Sequence, residues 1–529
     1  MIAGLSTRWK QTVAYHLTGD STCPRTLRDV VFAIITKCEA IGLKIDAVIS
    51  DMGPANQGLW RECGVFATKT GQVQVTCDHP CATVPGRKLN FVADAPHILK
   101  NIRGHLVRGQ SFFLPQDVVE KYRLPTNKVS IAPIKALVEI DERLDLKLAP
   151  HLKARHLEPA HYDKMNVGSA VALLNHAVAS AIRYLVKVGK LPQDALTTAW
   201  FLQQVFKWFS LMTSRAFNTA MSNAVPRKHE DAVDFLNEFK SFFRRLTIKK
   251  DGQNDIFKPV QTGVIIATTS ALQLQEKLLQ EHKFRFVLLS RLSQDALENL
   301  FSTVRLKNPV PRPLEFKLAL RLITLAQFFR PSRSGNYAID DSVDLTEFID
   351  SRQPSDVTTE VEDVPIEELQ AIEEDEMNSL VYLTGFTARN VLRKHKLCNA
   401  CSSFLSDDAV TEHESLLSLK SYKESGPNPL FVPSKNIVEL LKYAEQVFRH
   451  HGNKVLQLPV TALRDSTLSL ISVSHFPQCH DIAKKLLDSF LLNRLRFYLR
   501  KVNTKTMKKA AAKCGSKSVA MRVLVQNIK

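Results

Sequence analysis

Two carboxylates three residues apart, Asp295 and Glu298, lie in the stretch Arg291-Leu-Ser-Gln-Asp-Ala-Leu-Glu-Asn-Leu-Phe-Ser-Thr-Val-Arg305. Leu297, Leu300 and Val304 recur there at helical spacing, so the run is predicted as a helix. Side chains three apart share a helix face, which lets both acids point the same way. An ordinary amphipathic helix with a capping acid has the same pattern, since an acid in the first turn suits the positive end of the helix dipole. A second acidic position lies far upstream. Asp51 directly follows the apolar run Ala47-Val-Ile-Ser50, and Asp94 follows Phe91-Val-Ala93 in the same way. Gly53 and Pro54 turn the chain after Asp51, and Asn56 is placed to cap the helix that follows. A different chemistry is offered by Cys398-Asn-Ala-Cys401, the spacing of a zinc half-site, whose other half would come from Cys479 and His480 or from His475. Neighbouring buried cysteines would look the same. Cys77-Asp-His-Pro-Cys81 is a rival cluster, expected to be structural or free.

The elements around the acids read as an α/β sheet. Trp9 to Leu17 alternates like a strand. Thr26 to Ile41 has helical periodicity and ends at Gly42, a C-terminal cap. Ala47–Ser50 and Phe91–Ala93 read as buried strands that deliver Asp51 and Asp94 to their carboxyl ends, the edge where ligands and metals gather in such sheets. Asp94 and Pro96 start a helix with Lys100 and Arg103 on its solvated face. Helical, apolar-periodic stretches follow over Ala170–Val188, Asp194–Phe209 and Val233–Leu246. Phe201, Phe206, Trp208 and Phe209 are expected in the core. The basic run Phe242 to Lys250 suits either a DNA backbone or a solvated helix face. No Gly-x-x-x-x-Gly-Lys-Ser/Thr loop occurs in the chain.

The chain has 529 residues, 44% of them hydrophobic, enough for several cored domains. Its net charge of +18 hides an asymmetry. Residues 339–377 carry 15 acids against one base, Arg352, a net of −14, so the remainder carries +32. That excess favours a polyanionic partner, nucleic acid first. The acidic stretch, with Pro354 and Pro365, reads as a flexible linker. A last domain begins near Leu380 and closes with a helix over Asp481–Val502, with Ile482, Leu486, Phe490 and Leu495 inward. A disordered basic tail follows, including Lys505, Lys508, Lys509, Lys513 and Lys517; it suits non-specific DNA contact or nuclear targeting. No run of about 18 uncharged apolar residues suggests a membrane span. The first ten residues lack a secretory signal, and nine unevenly spaced cysteines fit a reducing intracellular compartment.

Four ordered segments carry a resemblance. Trp9-Lys-Gln, Ser50-Asp-Met-Gly with Asn56-Gln57 and Leu59-Trp60, Asp94-Ala-Pro-His-Ile-Leu-Lys100, and Gln294-Asp-Ala-Leu-Glu-Asn-Leu-Phe301 resemble the P-element transposases and their THAP-domain relatives. The resemblance covers about residues 1–330 by motif and the remainder more loosely. It implies an α/β RNase H-like core over 1–104 and 284–338, interrupted by a mostly α-helical GTP-binding insertion over 105–283. An acidic linker at 339–377 and a mainly helical C-terminal domain at 378–529 complete the organisation. Asp51 and Glu298 then match the second catalytic Asp and the catalytic Glu, which hold Mg²⁺ or Mn²⁺, and Asp295 matches a residue on the guanine of bound GTP. Cys398, Cys401, Cys479 and His480 remain a candidate Zn²⁺ set. The family's first catalytic Asp belongs upstream of Trp9, and its THAP domain and coiled coil lie further upstream still. The expectation is therefore an N-terminally truncated, inactive nuclear transposase copy acting on transposon ends and target DNA. An upstream extension or another acid would instead complete the site; Asp20 is not promoted to that role. A non-catalytic DNA-binding or interaction protein is the alternative. The family is also compatible with a homo-oligomer, and no membrane partner is expected.

Overall fold

The computed structural model describes the chain except at residues 8, 19–21, 82–85, 159–165, 251–254, 306–307, 309, 330–363, 407–412, 414, 422–429, 457 and 515–529. The expectations for Asp20, for 339–363 and for Lys517 lie outside the described residues. The chain forms two compact units, one made of residues 1–140 and 149–338, the other of 141–148 and 339–529.

In the first unit the strand Lys88–Ala93 is central. Ala47–Ser50 pairs with it in parallel, Ala47 opposite Asn90 through Ser50 opposite Ala93, and Thr76–Asp78 pairs antiparallel on its other side. Leu89, Phe91, Val92 and Ala93 are fully buried, as a strand covered on both faces requires. The helix Pro259–Gln280 lies against this strand, and its Ser270 hydroxyl donates to the carbonyl of Phe91. A Cβ at Gly263 would come within 2.3 Å of the Met52 sulfur, so any larger residue there would require the Met52 side chain to move. The predicted helix over 26–41 is observed as Pro24–Ala40 and is stopped at Gly42, whose φ is +88°. The strand predicted over Trp9–Leu17 is shorter: only Lys10–Gln11 pairs, with Ile2–Ala3. Alternation supplies a two-faced segment, but a strand also needs a neighbouring edge for its N–H and C=O groups. Beyond Gln11 the chain leaves the ladder, and Tyr15 meets Phe316 edge-on, ring centroids 5.8 Å apart.

The middle of this unit is helical, as predicted, with one break. The stretch read as one helix over 170–188 is two, Val167–Leu173 and His176–Lys187. Asn175 causes the break. Its amide nitrogen donates to the carbonyls of Val171 and Ala172, and its oxygen accepts from the Val178 N–H, closing one helix and capping the next. Val167–Lys187 is the stretch among the described residues long and apolar enough to cross a membrane; 72% of its most apolar window is buried inside the fold. In Ala195–Met212, Phe201 and Trp208 are fully buried and Phe206 and Phe209 half-buried. Trp208 stacks on Phe239 of Pro226–Arg245 at 5.4 Å. The basic run there is partly spent internally. Phe242 and Phe243 face inward, Arg245 makes a two-toothed contact with Asp117 (2.8 and 2.9 Å), and Lys249 lies over the Phe113 ring.

The second unit is built from Glu374–Lys394, Asn399–Leu405, Ser415–Lys420, Lys435–His451, Val460–Leu470 and Ile482–Cys514. Leu380, Leu441, Val447, Leu486 and Phe490 meet in its core. Its closing helix runs to Cys514, so Lys505, Lys508, Lys509 and Lys513 extend a helix where a disordered tail was expected. The described end of the acidic stretch is folded too. Val364 is buried, and Asp375 and Glu376, in the first turn of Glu374–Lys394, are only 5% and 3% exposed. Composition hid this because the acids have specific partners. Glu376 accepts the N–H groups of Asp145 and Leu146 and pairs with Arg449 at 2.8 Å. Arg449 also holds Glu445, and Glu445 takes Arg494 through both oxygens at 2.6 and 2.8 Å.

Glu445 is fully buried between two guanidiniums. Glu445→Ala leaves both without this counter-charge and should destabilise the second unit by about 3–5 kcal/mol in denaturant unfolding. Burial pushes the Glu376 carboxyl up, but Arg449 and the Leu146 and Asp145 N–H groups together hold it below the usual carboxylate range. Its stabilisation is therefore present above the ordinary glutamate range and lost as pH falls through the lowered value. The acid limb of a stability–pH profile should flatten in Glu376→Gln; an unchanged limb would refute this assignment.

Candidate functional site

The motif after the first parallel strand is a set of side chains that bond back onto the strand end. Trp60, 2% exposed, donates its indole N–H to the Ser50 hydroxyl at 3.1 Å. Gln57 donates to the Met52 carbonyl at 2.7 Å. Asn56 donates to Asp51 Oδ1 at 2.7 Å, and the Gly53 N–H reaches the same oxygen at 2.8 Å. Asn56 thus positions Asp51 instead of capping the helix. The cap position of Pro54–Glu62 is Gly53, with proline at the start of the helix. With Oδ1 engaged, Oδ2 turns to His97, 3.7 Å from Nδ1.

Asp94, 1% exposed, does two jobs. As N-cap of Ala95–Val107 its Oδ2 accepts the His97 N–H at 3.1 Å. Its Oδ1 accepts the N–H of Gln294 at 2.8 Å, and Gln294 is the N-cap residue of Asp295–Val304. One carboxylate therefore docks the helix carrying Glu298 beside the strand end carrying Asp51. Burial raises the Asp94 pKa against the opposing pull of these N–H groups. Glu298 completes the group. Its Oε1 lies 3.1 Å from His97 Nε2, so one imidazole touches both candidate catalytic carboxylates, one through each nitrogen. The hydrogen bond to His97 is the main reason the Glu298 pKa is lowered. Lys100 is half-buried and Arg103 only 2% exposed, so the helix face expected to be solvated is turned inward. Burial lowers the Lys100 pKa, while Glu298, Asp94 and Asp51 pull it upward. Neither His97 nor Lys100 had been singled out as a site residue. The signal was the spacing of Asp94-Ala-Pro-His97-Ile-Leu-Lys100, which puts both on the helix face beside Asp94.

The site's donors suit a hard divalent cation. Asp51 and Glu298 offer oxygens, and their side chains are 35% and 52% exposed. Asp295 faces elsewhere: it pairs with Arg215 at 2.5 Å, so the two acids of this helix serve different partners. The remaining predicted ligands also meet. Sγ of Cys398, Cys401 and Cys479 and a ring nitrogen of His480 all lie within 4.8 Å of one another, whereas His475 packs on Phe404 and Phe476. The backbone N–H of Cys401 helps lower the Cys398 thiol to about 6, and burial pushes Cys401 up to about 12. The Cys77–Cys81 segment forms no such cluster among the described residues. Its His79 is buried and bonds to the Ile45 carbonyl.

Three family models match parts of the chain: a TNP-like RNase H N-terminal domain over 1–64, a TNP-like GTP-binding insertion domain over 97–224, and the DNA transposase THAP9 C-terminal domain over 369–494. The transposable element P transposase of Drosophila melanogaster is 24% identical over 469 residues, 86% of this chain and 57% of that protein. The chain thus spans little more than half the length of that relative. Among solved structures, the Drosophila P element transposase strand transfer complex matches with a TM-score of 0.51 and 25% identity, over 61% of this chain and 69% of that one.

Asp94→Ala removes the acceptor for two N–H groups in one buried place and should cost about 1–3 kcal/mol of stability. His97→Ala should raise the Glu298 pKa toward its ordinary value, as read from the carboxyl chemical shift against pH. A Glu298 titration unmoved by His97→Ala would mean that the imidazole does not set its charge.

Proposed function

From the premise that the chain is a relative of the P-element transposases, we propose that Asp51 and Glu298 hold a divalent metal ion for cleavage and joining of DNA strands. The observation that carries this reading is their convergence on the two nitrogens of His97, from segments far apart in sequence. The charge of the chain supports the substrate class: +32 outside residues 339–377, suited to a polyphosphate. Mg²⁺ or Mn²⁺ bound there would polarise a phosphoryl oxygen and lower the pKa of the attacking water or hydroxyl. The protein's own part is positional. Gly53 and Asn56 fix Asp51, and Asp94 fixes the start of the helix that presents Glu298. His97 lies between the two carboxylates, so one ion taking an oxygen from each would require the imidazole to turn aside. Lys100 interacts with all three acids and offsets their mutual repulsion.

GTP binding belongs to the same proposal, with Asp295 as the guanine contact. The match to a GTP-binding insertion domain supports it. The Arg215–Asp295 pair means that the nucleotide must displace Arg215 or recruit it. The reading also implies action in the nucleus, where the DNA is.

Supplied with the third carboxylate that the resemblance places upstream of Trp9, the protein should cut duplex DNA carrying transposon ends with Mn²⁺ and not with EDTA, and Asp51→Asn or Glu298→Gln should each lower that rate at least about a hundredfold. Calorimetry should show Mn²⁺ affinity falling in the same two variants. Asp295→Ala should weaken GTP binding by about tenfold or more, since a charged hydrogen-bond partner is lost. DNA binding without cleavage, unchanged in both carboxylate variants, would leave a non-catalytic DNA-binding protein as the function.

A further inference from the structure

We propose that Cys398, Cys401, Cys479 and His480 form a closed tetrahedral zinc site that staples together two distant segments of the second unit. The Cys401 sulfur lies 3.1 Å from that of Cys479 and 3.4 Å from Nδ1 of His480; Cys398 and Cys479 are 3.4 Å apart. A tetrahedron with zinc–sulfur bonds near 2.3 Å has sulfur–sulfur edges of about 3.7 Å. The observed separations lie just inside that value, and no pair of donors is more than 4.8 Å apart. Four donors this close to one another need only small shifts to accept an ion.

The donor set decides the metal and its role. Three thiolates and an imidazole are soft ligands that select zinc over magnesium or calcium. Four protein ligands leave no open position for water or substrate, which makes the site structural. Local architecture agrees. Cys398 is the N-cap residue of Asn399–Leu405, and Cys401, inside that helix, is fully buried in the core. Cys479 and His480 lie on the short turn Gln478–His480, which buries no residue of its own. Asp481 then takes a left-handed φ of +47° and swings the chain into Ile482–Cys514. A metal bond supplies this turn with the anchorage that apolar packing does not. A redox pair is the competing use of Cys-x-x-Cys, but it needs only two thiols. It leaves the third sulfur and the imidazole at the same centre without a role.

The full chain, purified without added chelator, should contain one zinc by elemental analysis. Cobalt in its place should give the absorption of a tetrahedral site with several thiolate ligands. Stripping the wild-type protein with a chelator should lower its melting temperature, and returning zinc should restore it. Cys479→Ser and His480→Ala, which change exposed and half-exposed positions, should each lower zinc affinity at least about tenfold. Zinc-free protein that takes up no cobalt would overturn the proposal, as would affinity unchanged in both variants. A disulfide among these cysteines in freshly purified protein would assign the redox role instead. The wild-type cobalt spectrum decides the matter even where a variant fails to fold.

Discussion

The candidate site depends on one buried carboxylate with two obligations. Asp94 sits where the central strand becomes a helix, and its two oxygens take N–H groups from His97 and Gln294. The first bond is local and would form in any helix with an aspartate cap. The second is not. It reaches across 200 positions of sequence and fixes where the Glu298 helix begins. A carboxylate this buried is costly when charged and weakly partnered. Both N–H groups help to offset that cost, which couples the docking of the two segments.

That constraint explains why the motifs have the form they do. Ser50, Asp51 and Met52 end a strand, where side chains alternate in direction and the backbone ladder runs out. Trp60, Asn56 and Gln57 each satisfy one group of that frayed end. The motif is thus a short helix folded back to finish a strand, and Asp51 Oδ2 is left over for other work. Rigid presentation of a ligand by fixed neighbours is what a metal-dependent site requires of its protein.

Much of this was legible in sequence, and the parts that were not share a cause. Strand–acid junctions at Asp51 and Asp94, the Glu298 helix and the Cys398–Cys401 half-site follow from local pattern and motif, whereas the choice of Cys479 and His480 over His475 for the other half does not. Nor does pairing across distance. Composition made 339–377 a linker, yet Asp375 and Glu376 are buried, and the partners of Glu376, namely Arg449, Asp145 and Leu146, lie far off in the chain. Periodicity carried one helix through Asn175, because the competition of a single amide with the backbone leaves no trace in the apolar spacing. Arg103 and Lys100 looked solvated for the same reason, and Asp295 and Glu298, read as neighbours on one face, answer to Arg215 and His97 instead.

The two proposed ion sites differ in ways that follow from what each must do. At the proposed cleavage site the oxygen donors of Asp51 and Glu298 are partly exposed with an imidazole between them, which suits an exchangeable ion. A cleavage site needs that freedom, because the phosphate oxygens must complete the coordination sphere. The cysteine and histidine donors are already gathered, with Cys401 in the core, and their sulfur content favours an ion that stays. Donor type sets the two sites apart: thiolates hold magnesium poorly, whereas the carboxylate oxygens of Asp51 and Glu298 suit a hard divalent ion. Donor type would therefore direct the two proposed sites to different ions, through side chains that each unit's own fold brings together.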